Sequence, residues 1–88
     1  MKAILIDDEP LALIYLQFQL KKIPGIEIVG AYTNPLEGKR AAEENEIDVV
    51  FLDIHIPELN GIELAERILE SKPGVFVVFI TTYEEYAI

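Results

Sequence analysis

The strongest constraint on how this chain folds is an alternation. Four short apolar runs, each stopped by acidic or hydroxyl residues, are separated by three longer stretches with helical spacing. Ala3-Ile4-Leu5-Ile6 ends at Asp7-Asp8-Glu9-Pro10. Pro10 suits the first turn of a helix, where its missing N–H goes unused, and the spacing predicts a helix from there to about Lys22. Leu11, Ile14, Tyr15 and Phe18 share one face of it, Leu13, Leu16 and Leu20 widen that face, and Tyr15 and Phe18 read as core. Pro24-Gly25 ends the helix. Residues 26–32 form the second run, interrupted by Glu27. Asn34-Pro35-Leu36-Glu37 has the cap, proline and glutamate of a helix start. That helix, roughly Pro35 to Asn45, is mostly polar and offers Leu36, Ala41 and Ala42 to a core. Val49-Val50-Phe51-Leu52 stops at Asp53, and Asn60 with Glu63 opens a third helix. Its stripe is Ile62, Ala65 and Leu69, broadened by Leu64 and Ile68. After Lys72-Pro73-Gly74 come six apolar residues, Val75 to Ile80, which Thr81-Thr82 ends.

Strands alternating with helices imply a parallel sheet covered by helices on both faces. The length of 88 residues allows one domain. The first, third and fourth strands are apolar at every position, as strands covered on both faces must be. The second, carrying Glu27, reads as an edge. Right-handed crossovers then give the order 2-1-3-4, which leaves the most apolar strand on the other edge. Such an edge is an aggregation hazard, so the pattern predicts a missing fifth strand and a partner over the fourth. Hydrophobic residues make up 51%, which excludes a disordered acidic tail. Sixteen acidic against 7 basic side chains, a net charge of −9, argue against direct nucleic-acid binding. No apolar run is long enough for a membrane span, no leader opens the chain, and there is no cysteine for disulfides or thiolate metal sites. The expectation is a soluble, cytoplasmic α/β domain.

In open parallel sheets, sites form beyond the carboxyl ends of strands where the strand order reverses. Here that point lies between the first and third strands, which end in Asp7-Asp8-Glu9 and in Asp53. One acid after a strand is usually a turn former or a helix cap, and Glu9-Pro10 partly fits that. Two adjacent aspartates plus a third after the neighbouring strand are harder to assign to turns. Carboxylates so close repel unless a cation neutralises them. Oxygen ligands without His or Cys select a hard cation, Mg²⁺ before Ca²⁺. The fourth strand delivers Thr81 to the same rim, a hydroxyl able to donate to an anionic oxygen.

Ile6-Asp7-Asp8-Glu9, then Leu52-Asp53-Ile54-His55-Ile56-Pro57 with Gly61, then Phe79-Ile80-Thr81, resembles the receiver domain of bacterial two-component response regulators over essentially the whole chain. The ending from Phe79 to Ile88 is most similar to receivers whose output is a LytTR-type DNA-binding domain. The resemblance implies a flavodoxin-like α/β/α fold and a phosphoacceptor rather than an enzyme, beyond self-catalysed phosphorylation and dephosphorylation. It implies that Asp53 takes a phosphoryl group from a sensor histidine kinase. Asp7, Asp8, Asp53 and the backbone carbonyl of His55 would hold Mg²⁺, and Thr81 would bind the phosphoryl group and switch. The His55 and Tyr83 side chains would tune access and dephosphorylation. Pro57 and Gly61 are most simply loop and helix-start geometry, and Glu43, Glu44 and Glu46 a solvated face.

The sequence departs from that family in ways that set further expectations. Receivers use a lysine at the end of a fifth strand. The lysines here are Lys2, Lys21, Lys22, Lys39 and Lys72, so the role has no candidate after Thr81. Phosphorylation is therefore expected to be impaired, and Thr82 to crowd the site. A second reading is a non-signalling receiver remnant acting as an interaction module. It would be a homodimer, formed by fourth-strand edge pairing or element swapping. A third is a phosphohydrolase of the haloacid dehalogenase kind, but Leu52-Asp53-Ile54-His55 lacks that family's second aspartate two positions on.

Overall fold

The structure, a computed structural model, describes residues 1–56 and 59–80. The expected elements form. They are β1 (Lys2–Ile6), α1 (Pro10–Leu20), β2 (Glu27–Tyr32), α2 (Pro35–Glu44), β3 (Val49–Asp53), α3 (Gly61–Ser71) and β6 (Phe76–Ile80). A two-residue antiparallel ladder, β4 (His55–Ile56) with β5 (Leu59–Asn60), occupies what the sequence reads as a loop. The main sheet has the order β2-β1-β3-β6, parallel throughout. The flavodoxin-like arrangement read from the sequence is therefore the observed one.

Pleating divides the core into two layers. Ile4, Ile6, Val50 and Leu52 pack under α2 and α3 with Ala42, Leu64, Ala65 and Ile68. Ala3, Leu5 and Val49 pack under α1 with Leu13 and Leu20. Fully burying a side chain such as Ile4, Leu52 or Leu64 contributes about 1.5–3 kcal/mol. The β2 edge carries a bulge: Ala3 pairs Ile28 and Ile4 pairs Gly30, which skips Val29. The bulge lets Ile28 join the α1 layer while Tyr32 joins the other.

Helix starts follow the sequence. The Asn34 side chain accepts from the Leu36 and Glu37 amides, with Pro35 in the first turn, and Asn60 accepts from the Ile62 amide. The helix faces do not follow it. In α1 the buried residues are Leu13 and Leu20, with Leu16 partly buried, while Leu11, Ile14, Tyr15 and Phe18 are exposed. Only Gln17 and Gln19 are polar in this helix, so two stripes satisfy the same period and periodicity could not choose between them. In α3 the core residues are Leu64, Ala65 and Ile68, with Ile62 and Leu69 at the exposed flanks. In α2, Gly38 and Ala42 are buried and Leu36 is exposed. β6 has β3 as its one strand neighbour among the described residues, the edge place that the order 2-1-3-4 gives the fourth strand, but its faces differ from the expectation: Phe76, Val78 and Phe79 are exposed, so an apolar run is no sign of cover on both sides.

Candidate functional site

The parallel register sets β1 and β3 side by side, Ile6 opposite Leu52. The residues that follow them, Asp7 and Asp8, thereby meet Asp53 at one end of the sheet. The ladder holds that end together: the Asp7 amide donates to the Tyr32 carbonyl at 3.1 Å and the Ile54 amide to the Ile80 carbonyl at 3.1 Å.

Carboxylate oxygens of Asp7, Asp8 and Asp53 lie within 4.8 Å of one another. Asp7 is 4% exposed, Asp53 3% exposed and Asp8 half-buried. The two buried aspartates use the same local device. Asp7 Oδ1 accepts from the Glu9 amide at 2.9 Å, and Asp53 Oδ1 accepts from the His55 amide at 3.0 Å. Each bond closes a short turn that fixes the side chain as the chain leaves its strand. Burial nevertheless dominates the electrostatics. It pushes the Asp7 carboxyl up to about 6, the Glu9 amide partly offsets this, and the charges of Asp53 and Asp8 push it further up. Asp53 is raised as well, first by burial and then by the Asp8 charge, against the lowering effect of the His55 amide.

These donors fit a hard divalent cation. All are oxygens, they converge, and their mutual repulsion is what a +2 charge relieves. Three lysines engage away from this cluster: Lys39 pairs with Glu43, Lys72 donates to the Asn45 carbonyl, and Lys22 lies over the Phe18 ring.

Of the site residues singled out in the sequence, Asp7, Asp8 and Asp53 come together. His55 starts β4 with an exposed side chain and a backbone amide bound to Asp53. Thr81, Thr82, Tyr83 and Pro57 lie outside the described residues. Sequence reasoning understated Gly61. A β-carbon there would stand 2.8 Å from the Asp53 carbonyl oxygen and 2.9 Å from that of Ile54. Only glycine lets the start of α3 approach the end of β3 this closely. The available signal was a glycine directly after a capping asparagine, where a stronger helix former would otherwise serve.

The chain is similar to known proteins along nearly its whole length. A family profile described as the response regulator receiver domain matches residues 3–88. An uncharacterized response regulatory protein of Vibrio cholerae serotype O1 is 45% identical over 87 residues, 98% of this chain and 33% of that protein. The transcriptional regulatory protein LytR of Staphylococcus aureus is 39% identical over 88 residues, 100% of this chain and 36% of that protein. The crystal structure of the response regulatory domain of protein mrkE from Klebsiella pneumoniae superposes with a TM-score of 0.81 at 38% identity, covering 99% of this chain and 71% of that one. The response regulator domain of Thermotoga maritima CheB gives a TM-score of 0.83 at 28% identity, covering 99% and 64%. The chain spans about a third of the length of the curated relatives it matches.

Proposed function

The chain belongs to the response regulator receiver domain family, and on that premise we propose that Asp53 is its phosphoacceptor, charged by a sensor histidine kinase with Mg²⁺ as cofactor. The observation that carries this reading is the meeting of Asp7, Asp8 and Asp53 at the carboxyl ends of two adjacent buried strands. Phosphoryl transfer needs positioning and charge neutralisation more than covalent assistance.

The His55 amide holds Asp53 Oδ1 and so fixes the carboxylate's orientation, leaving Oδ2 as the nucleophile. That oxygen forms the new bond to phosphorus. The phosphorus–nitrogen bond of the donor phosphohistidine breaks, and its electron pair stays on the imidazole nitrogen, which takes up a proton. Asp7, Asp8, Asp53 and the His55 backbone carbonyl would hold Mg²⁺, which would supply the positive charge that lets an anionic carboxylate meet an anionic phosphoryl group. Asp7, with its carboxyl at about 6, is mostly ionised at neutral pH and available as a ligand. Thr81 is assigned the hydroxyl that donates to the bound phosphoryl group, and His55 and Tyr83 the control of water access to it. By likeness to the transcriptional regulatory protein LytR, the phosphorylated domain acts in the cytoplasm on transcription through a further segment of a longer regulator.

Amide NMR with beryllofluoride tests this reading. With Mg²⁺ present, the mimic is expected to shift the resonances of residues 7–9 and 53–55 in the wild type and to leave Asp53→Asn unchanged. Equal shifts in both proteins would remove Asp53 from the role.

A further inference from the structure

The β2 edge of the sheet holds a cavity that the role of Asp53 does not use. Its volume is about 270 Å³, and it lies between the β1–β2 face and the carboxyl-terminal end of α2. Lys2, Ile4, Val29, Tyr32, Asn45 and Glu46 line it. The order β2-β1-β3-β6 puts it at the opposite edge of the sheet from β6.

Local chemistry builds each wall. The bulge takes Val29 out of the ladder, with Ala3 pairing Ile28 and Ile4 pairing Gly30, and Val29 becomes a wall instead. Gly30 leaves room for the Tyr32 ring: a β-carbon there would stand 2.7 Å from ring Cε2 and 2.8 Å from the hydroxyl oxygen. The ring therefore lies back along β2 rather than standing off it. Two hydrogen bonds fix the α2 end. Asn45 Nδ2 donates to the Ala41 carbonyl at 2.7 Å, and Lys72 Nζ donates to the Asn45 carbonyl at 3.1 Å. Lys2 is held through its backbone: its amide donates to Asp48 Oδ2 at 2.6 Å, and its carbonyl accepts from the Asp48 amide at 2.8 Å.

Charge says what fits. Lys2 and Glu46 line the cavity together, yet neither pairs with the other or with any described residue. Tyr32 adds a hydroxyl and Asn45 a side-chain carbonyl oxygen, while Ile4 and Val29 add apolar surface. Apolar lining with a few placed polar groups is the usual form of a ligand site. At about 270 Å³ this one falls just under the range of about 300–1,000 Å³ for drug-sized ligands, so it selects something smaller.

We propose that this cavity binds a free α-amino acid with an apolar side chain. The ligand carboxylate meets Lys2, its ammonium meets Glu46, and its side chain lies against Ile4, Val29 and the Tyr32 ring. A simple anion would be repelled by Glu46 and a simple cation by Lys2, so the pair of charges selects a zwitterion. The site does not use Asp53, and its failure leaves that role untouched.

Amide NMR with L-leucine as the probe tests it, beside isocaproate, which lacks the ammonium, and isoamylamine, which lacks the carboxylate. L-leucine is expected to shift the resonances of Lys2, Val29, Gly30, Tyr32 and Glu46 saturably, with a dissociation constant on the order of 1 mM. Each analogue is expected to bind on the order of tenfold more weakly. Lys2→Gln and Glu46→Gln are each expected to weaken L-leucine by a similar factor, whereas Glu44→Gln, exposed on α2 outside the cavity, leaves it unchanged. All three substitutions are on the surface, and circular dichroism verifies folding. The absence of a saturable shift at concentrations well above that constant overturns the proposal. Equal binding of L-leucine and either analogue, or binding indifferent to Lys2→Gln and Glu46→Gln, overturns it equally.

Discussion

At the scale of single residues, the acidic site holds carboxyls in surroundings that disfavour their charge, and this fixes a pH dependence. Asp7 stands at about 6 in the fold against 3.8 for the free group. A carboxyl raised by folding binds its proton more tightly in the native state. Its contribution to stability is therefore present below pH 3.8 and lost as pH rises through about 6. Asp53, also raised by burial, acts in the same direction. With chelator present, urea unfolding is expected to give a lower stability at pH 7.5 than at pH 5, by on the order of 1 kcal/mol from Asp7. Saturating Mg²⁺ is expected to remove most of the difference, since a bound cation favours the ionised carboxylates. Asp7→Asn is expected to be more stable than the wild type at pH 7.5 without metal, by roughly 1–2 kcal/mol, and to bind Mg²⁺ more weakly. Titration calorimetry measures the second effect. An Asp7→Asn protein less stable than the wild type under those conditions would contradict the reading of the cluster as repulsive.

At the scale of elements, two glycines decide how helices approach strands. Gly61→Ala would force the β-carbon against two backbone carbonyls, those of Asp53 and Ile54, which cannot step aside without moving the end of β3. The expected cost is about 1–3 kcal/mol, with a loss of Mg²⁺ affinity because the displaced strand end carries Asp53. Gly74→Ala, where nothing lies within 4 Å, is expected to change neither quantity. Gly38→Ala improves helix propensity by up to about 1 kcal/mol but meets the Ile6 side chain at 2.6 Å, so it too is expected to destabilise. Denaturant titrations of the three variants check the order. The same elements show how much the sequence disclosed. Strand positions, helix starts and the acidic crevice were legible because Asn34, Asn60, Pro10 and the aspartates mark element ends by local chemistry. The buried faces of α1 and α3 were not, because periodicity gives a spacing and not a phase. In α1 the true stripe, Leu13-Leu16-Leu20, differs from the exposed one only by which side meets the sheet. The β4–β5 ladder and the close approach at Gly61 were hidden for a different reason: each depends on where the ends of β3 and α3 meet.

At the scale of the molecule, the sheet formed by the described residues has two unlike edges. β2 carries Glu27 and a bulge at Val29, both of which discourage strand addition. β6 has neither a charge nor a bulge. Phe79→Lys, on the α2–α3 side of β6, is expected to suppress concentration-driven aggregation, read by light scattering. An unchanged aggregation rate would show that the β6 edge is not its route. All of this scaffolding serves one arrangement, in which two adjacent buried strands end in carboxylates, and on the proposed function that sheet end takes an anion and a cation together. The most direct measurement of that account is the intact mass of the protein after incubation with acetyl phosphate and Mg²⁺. The account predicts a single hydroxylamine-labile phosphoryl group on a fraction of the wild type, impaired as it is without the family lysine, and none on Asp53→Asn. No incorporation in either protein, or equal incorporation in both, would contradict it.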